Sequence, residues 1–127
     1  MTAFRILVVE DNNPYRQLLK ETLHSGFPNT EIVEAGDGEE ALQKVKTFLP
    51  HLVFMDIRLP GESGLEITRK IKTQYTNIAV IILTSYDLPE YREAANQYQA
   101  NHFLSKCTTT KEDILRMVRS MLPEQNG

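Results

Sequence analysis

An α/β fold, a parallel sheet between two layers of helices, is predicted by how apolar residues recur along this chain. Short β-branched runs alternate with stretches whose apolar residues follow helical spacing, five of each. Three of those runs, Ile6-Leu7-Val8-Val9, Leu52-Val53-Phe54-Met55 and Ala79-Val80-Ile81-Ile82-Leu83, end in the oxygen-bearing side chains Glu10-Asp11, Asp56 and Thr84-Ser85. Strict βα alternation implies right-handed crossovers and a three-layer α/β/α sandwich. In such a sheet the carboxyl ends of the strands share one edge, so residues distant in sequence can meet there.

The first strand is expected over Arg5 to Val9. Pro14 suits the first turn of the next helix, where its missing N–H costs nothing, and Leu18, Leu19, Thr22 and Leu23 form the expected inward stripe. Ser25-Gly26-Phe27-Pro28 ends that helix. Glu31-Ile32-Val33-Glu34-Ala35 alternates polar with apolar, which places the second strand at a sheet edge. After the turn Gly36-Asp37-Gly38, a second helix carries Ala41, Leu42, Val45 and Phe48 on one face, and Pro50 closes it before the third strand.

The loop Arg58-Leu59-Pro60-Gly61-Glu62-Ser63-Gly64 leads into a third helix with Leu65, Thr68 and Ile71 inward and its lysines and arginines opposite. The fourth strand follows Asn77. Helix four, about Pro89 to Tyr98, is the weakest of the set: Tyr91, Ala94, Ala95 and Tyr98 offer little aliphatic surface, so it is the expected mobile element. A fifth run, His102-Phe103-Leu104-Ser105, ends in Lys106. The last helix is expected to start at a capping box, Thr109-x-x-Glu112, to bury Ile114, Leu115, Val118, Met121 and Leu122, and to stop at Pro123.

Composition narrows the function. With 127 residues, 41% hydrophobic and 24% charged, the chain suits one soluble domain, and no apolar stretch approaches the roughly 18 residues that span a bilayer. Its N-terminal residues lack the apolar core of a signal peptide, so export is not expected. The lone Cys107 forms no intramolecular disulfide and suits a reducing cytoplasm. Fourteen basic against 17 acidic residues, a net charge of -3, disfavour binding to a nucleic-acid backbone. His24, His51 and His102 show no zinc spacing, and Gly36-x-Gly38 is a turn without the third glycine of a dinucleotide site.

Taken singly, the residues at the strand ends have ordinary readings. Glu10-Asp11-Asn12-Asn13 could form only a turn and helix cap, Asp56 could open a turn before Pro60-Gly61, Thr84 or Ser85 could cap a helix, and Lys106 could be a solvated charge. Together they point to chemistry. Clustered carboxylates repel one another, so Glu10, Asp11 and Asp56 are tolerable at one edge chiefly with a cation among them, and oxygen-only ligands suit Mg2+ or Mn2+.

These residues resemble the receiver domains of two-component response regulators over nearly the whole chain. Val8-Val9-Glu10-Asp11 is similar to the family's acidic pair, and Met55-Asp56 with Leu59-Pro60-Gly61 and Gly64 to its phosphoacceptor segment. Ile82-Leu83-Thr84 resembles the hydroxyl strand and Phe103-Leu104-Ser105-Lys106 the aromatic and lysine of the fifth. The resemblance implies a flavodoxin-like (βα)5 doubly wound sheet of order 2-1-3-4-5, with the receiver over residues 1–123 and a tail or linker at 124–127.

It further implies that Asp56 attacks the phosphoryl group of a phosphohistidine on a sensor histidine kinase or phosphotransfer domain. Asp11, Asp56 and the Arg58 backbone carbonyl would bind Mg2+, with Glu10 acting through water. Lys106, the Thr84 hydroxyl and the Ser85 backbone N–H would receive phosphoryl oxygens. Thr84 and Phe103 would be the switch, altering the surface of helix four, strand five and helix five that meets an output domain or target protein, or a second phosphorylated copy. Two departures matter: Cys107 stands where the family usually has Pro, which implies a trans and more mobile turn, and Phe103 lacks the tyrosine hydroxyl of many relatives.

The rival readings each lack a part. A phosphatase resembling the haloacid dehalogenase family needs an Asp two residues after its nucleophile, and Arg58 stands there. A flavin carrier needs a Ser/Thr/Gly loop after the first strand, where Glu10-Asp11 would repel the flavin phosphate. A degenerate receiver used only for binding would have no need to keep Asp11, Asp56, Thr84 and Lys106. The expectation is a cytoplasmic phosphoacceptor switch rather than a turnover enzyme, with slow phosphoryl loss because Arg58 and Tyr86 obstruct the attacking water.

Overall fold

In the structure, a computed structural model describing residues 3–123, β1 (Arg5–Val9), β2 (Glu31–Ala35), β3 (Leu52–Met55), β4 (Ala79–Thr84) and β5 (His102–Ser105) form one parallel sheet in the order β2-β1-β3-β4-β5. Between them run α1 (Asn13–Gly26), α2 (Gly38–Phe48), α3 (Gly64–Gln74) and α4 (Pro89–Gln97), and α5 (Lys111–Met121) closes the chain. The alternating β2 lies at an edge, with Glu31 exposed and three of its residues half-buried.

The period of two along each strand divides the core. Leu7, Val9, Val53, Met55, Val80 and Ile82 face one side, where Ala41 and Val45 of α2, Leu65, Ile67 and Ile71 of α3 and Ala95 of α4 meet them. Ile6, Val8, Leu52, Phe54, Ile81 and Leu83 face the other, against Leu19 and Leu23 of α1 and Ile114 and Val118 of α5. Chain direction across the sheet reverses at β1, whose neighbours β2 and β3 are followed by helices of the same layer, and the crevice beyond the β1 and β3 tips is where α/β sheets carry their sites.

Side-chain oxygens receive the free N–H groups at four helix starts: Asn12, Asp37, Ser63 and Thr110. The capping box falls one residue later than expected, Thr110 with Asp113, because the Thr109 N–H is already bonded to Ser105 O in the preceding turn. Leu18 is also corrected: it is 43% exposed, and Tyr15, Leu19 and Leu23 make the inward stripe at i, i+4 spacing. A third correction is Lys72 on α3, expected outward but buried. Its ammonium donates to Ile78 O at 2.8 Å, Thr76 O at 3.3 Å and Asn101 Oδ1 at 3.2 Å, and burial lowers its pKa. Asn101 Oδ1 also receives the Val80 N–H at 2.8 Å, so this lysine ties the end of α3 to β4 and the turn before β5.

As expected, α4 is the thinnest helix, with only Ala95 fully buried and no side-chain cap at its start. No helix among the described residues is long and apolar enough to cross a membrane.

His51 stands just before β3 with its ring stacked on Phe4 at 4.9 Å, and its Nδ1 accepts the Arg5 N–H at 2.9 Å. Burial first, then the Arg5 charge, lowers its pKa, so the fold prefers the neutral ring. Stability from this ring is therefore full above the unfolded value of about 6.5 and is lost as pH falls through the lower folded value. Urea midpoints should drop between pH 7.5 and 5.5 by less in His51→Asn than in the wild type. An equal drop would remove His51 as a cause.

Candidate functional site

Glu10 and Asp11 follow β1, Asp56 follows β3, Thr84 ends β4 and Lys106 follows β5. Backbone bonds extend the sheet to each of these tips: Glu10 N–H donates to Ala35 O at 3.0 Å, Asp56 N–H to Val9 O at 3.1 Å and Lys106 N–H to Thr84 O at 2.9 Å. Strand register rather than loop conformation therefore fixes the backbone at Glu10, Asp56 and Lys106.

The Lys106 ammonium lies 2.5 Å from Glu10 Oε1 and 3.1 Å from Asp56 Oδ2, and 4.1 Å from the centre of the Tyr15 ring. Asp56 Oδ1 accepts the Ile57 N–H at 2.7 Å, and Glu10 Oε2 the Asn12 N–H at 3.0 Å. Glu10 and Asp56 are 3% and 6% exposed, whereas Asp11 is open to solvent. Burial, and to a smaller extent the nearby Asp56 charge, raises the Glu10 pKa against the Lys106 hydrogen bond. Burial alone would lower Lys106, but its hydrogen bond to Glu10 and the Asp56 charge raise it, so the ammonium stays charged.

One ammonium contacts two of three clustered carboxylates, and the remaining negative charge is unbalanced. Oxygens of Glu10, Asp11 and Asp56 lie within 4.8 Å of one another, with no His or Cys in the group. A hard divalent cation such as Mg2+ fits both the donor chemistry and the missing charge.

Other expected residues fall around this cluster. Thr84 is fully buried, its hydroxyl oxygen accepting the Tyr86 N–H at 3.3 Å, and the adjacent Ser85 is exposed. Arg58 is exposed, with its guanidinium 4.2 Å over the Tyr86 ring, so the two residues expected to shield the site touch each other. Phe103 is half-buried beneath the Arg92 guanidinium at 4.6 Å, and Arg92 is held by Asp87 at 2.5 Å. Cys107 is exposed, and no peptide among the described residues is cis. Its turn is closed by the Cys107 N–H on Ser105 Oγ at 3.2 Å and the Thr109 N–H on Ser105 O at 3.0 Å, and Lys106 reaches both acids from it.

Sequence reading missed two residues that hold the site. Tyr15 was legible only as a helix residue, yet its ring covers Lys106. Arg16 donates to Glu10 O at 2.6 Å, to Glu34 Oε1 at 3.0 Å and to Asn13 Oδ1, clamping the β1–α1 turn to β2. The available signal was its place: it lies one turn into the helix that begins directly above the acidic pair.

Residues 6–119 match the model of the response regulator receiver domain family, and the chain belongs to that family. It is a receiver domain of the response regulators of two-component systems. Among its relatives, the transcriptional activator protein ExaE of Pseudomonas putida is 39% identical over 92% of this chain and 54% of its own length. The transcriptional regulatory protein HptR of Staphylococcus aureus is 34% identical over 97% of this chain and 50% of its own. The chain thus spans about half the length of these curated relatives. The fold matches a CheY-like receiver domain protein of Methanospirillum hungatei with a TM-score of 0.88 at 24% identity, over 94% of both chains.

Gly64 opens α3 hard against the backbone of Asp56 and Ile57. A Cβ there would stand 1.9 Å from Asp56 O and 3.1 Å from Ile57 Cα, both backbone. Gly64→Ala must displace that backbone and should cost about 2 kcal/mol or more in urea unfolding. Gly38→Ala meets the Ile67 side chain closely, at 2.6 and 2.8 Å, but backbone no nearer than Glu62 O at 3.7 Å, so it should cost less. Equal costs would contradict this packing.

Proposed function

We propose that this receiver is a phosphoacceptor switch in which Asp56 takes a phosphoryl group from a phosphohistidine of a sensor histidine kinase or phosphotransfer domain, with Mg2+ bound. The observation that carries this reading is the Lys106 ammonium 3.1 Å from Asp56 inside a buried acidic cluster at the strand tips. An Asp56 carboxylate oxygen forms a bond to phosphorus as the P–N bond breaks, and the histidine nitrogen leaves with the electron pair. Such a transfer needs positioning and charge stabilisation more than further covalent chemistry.

Asp11 and Asp56, with the Arg58 carbonyl and with Glu10 through water, would hold Mg2+, which supplies positive charge to the phosphoryl oxygens. Lys106 pairs with one phosphoryl oxygen, and the Thr84 hydroxyl and Ser85 N–H take others. For Lys106 this means exchanging its present Glu10 contact for the incoming group. A single carboxylate nucleophile with Arg58 two residues on leaves no general acid for repeated phosphoester turnover, so the chain is a switch and not a turnover enzyme.

When the Thr84 hydroxyl turns to the phosphoryl group, Phe103 can move inward, and the surface of α4, β5 and α5 changes. The thin packing of α4 supports this as the bistable element. That surface would meet an output domain or target protein, and phosphorylation could pair two copies there. Since ExaE and HptR are transcriptional proteins about twice as long as the matched segment, we infer a DNA-directed output outside residues 1–123. The linker that would lead to it, 124–127, lies outside the described residues. A cytoplasmic location goes with a kinase of this kind.

Incubation with acetyl phosphate and Mg2+, followed by mass spectrometry, should place one phosphoryl group on Asp56. Asp56→Asn should abolish that modification and Lys106→Ala slow it roughly 10²-fold. A folded protein that never takes phosphate on Asp56 would overturn the reading. The Arg58–Tyr86 stack should also make phosphoryl loss slow, and Arg58→Ala or Tyr86→Ala should speed it. A lifetime of seconds, unchanged in both variants, would count against obstruction of the attacking water.

A further inference from the structure

We propose that Tyr15 is a positioning residue for the phosphoryl transfer, its ring face seating the Lys106 ammonium so that the charge stays aimed at Asp56. This inference rests on the function proposed above. Lysine is a flexible, strongly hydrated point charge, so holding it at one spot requires contacts on several sides. Three are present: Glu10 Oε1 at 2.5 Å, Asp56 Oδ2 at 3.1 Å and the Tyr15 ring centre at 4.1 Å. The side chain of Lys106 is only 13% exposed within this seat.

The three contacts respond differently to a divalent cation. A cation shared by Glu10, Asp11 and Asp56 weakens the pull of both carboxylates on the ammonium and repels it directly. The ring face is uncharged, and a magnesium-type cation does not take it as a ligand, so it alone keeps its hold. Tyr15 is itself well fixed. Pro14 starts the helix before it, the Tyr15 N–H donates to Asn12 Oδ1 at 2.9 Å, and the ring is half-buried against the core beneath α1. No hydrogen bond engages its hydroxyl among the described residues, so the ring face and not the oxygen is the working part.

The test compares Tyr15→Phe, which keeps the face, with Tyr15→Leu, which keeps bulk without it. In the metal-free protein, NMR should show the Lys106 Cε protons shifted upfield by the ring current in wild type and Tyr15→Phe, and not in Tyr15→Leu. With saturating Mg2+ and acetyl phosphate, Tyr15→Leu should modify Asp56 about three- to tenfold more slowly, with Tyr15→Phe near the wild-type rate. Mg2+ affinity, measured by calorimetry, should be the same in all three.

A Tyr15→Leu rate equal to wild type would overturn the proposal, as would a Tyr15→Phe loss as large as that of Tyr15→Leu. Weakened Mg2+ binding in Tyr15→Leu would show a disrupted acidic turn and overturn it too. A wild-type protein with the ring-current shift intact but no phosphate on Asp56 would instead reject the parent function, and this role with it.

Discussion

The structure turns on one ammonium placed between two buried carboxylates. Lys106 is brought from β5 to Glu10 after β1 and Asp56 after β3, across a sheet in which β4 separates the lysine from both acids. Nothing local to any of the three segments accounts for their meeting. It requires all four strands in register, which in turn requires the two apolar faces of the sheet to be covered by the correct helices. The cost of burying two carboxylates is offset in part by Lys106 and by backbone N–H groups of Asn12 and Ile57, and the shortfall of positive charge is what a divalent cation would fill. Folding thus builds a site that is electrostatically incomplete.

The fold was legible because period and burial agree. The three apolar runs without alternation became the central strands β1, β3 and β4, the alternating run became the β2 edge opposite β5, and proline and glycine marked the helix ends where they lie. Asp56, Glu10 and Lys106 were legible for a simpler reason: a charged residue directly after a strand has no place to go except the sheet edge. Side-chain partners across space were not. Arg16 and Tyr15 look like ordinary residues of α1, and only the overlap of that helix with the β1 tip gives them a role. Lys72 looked solvated because its partners are backbone carbonyls and an asparagine far along the chain, which carry no charge pattern to read. Leu18 failed in the opposite direction, since an apolar residue beside the stripe need not belong to it.

Contacts leading away from the site form a chain along one flank. Arg58, after β3, lies over Tyr86 in the loop after β4, and in the same loop Asp87 grips Arg92, which covers Phe103 on β5. Each contact lies at the surface and is individually weak, and α4, which carries Arg92, has little core to anchor it. A segment held this way can exchange between arrangements at small cost, whereas the apolar sheet interior cannot. The division fits the switch proposed above, in which a rigid sheet would keep the acids in place while one surface changes.

The most direct test of the shared cation site is a Mg2+ titration followed by heteronuclear NMR on the unphosphorylated protein. Expected is saturable binding, with amide shifts concentrated at residues 10–12, 56–58 and the turn after Lys106, abolished by Asp11→Asn or Asp56→Asn in variants that keep the wild-type fold. Unchanged Mg2+ binding in those variants, or no saturable response in the wild type, would contradict the convergence of these acids on one metal.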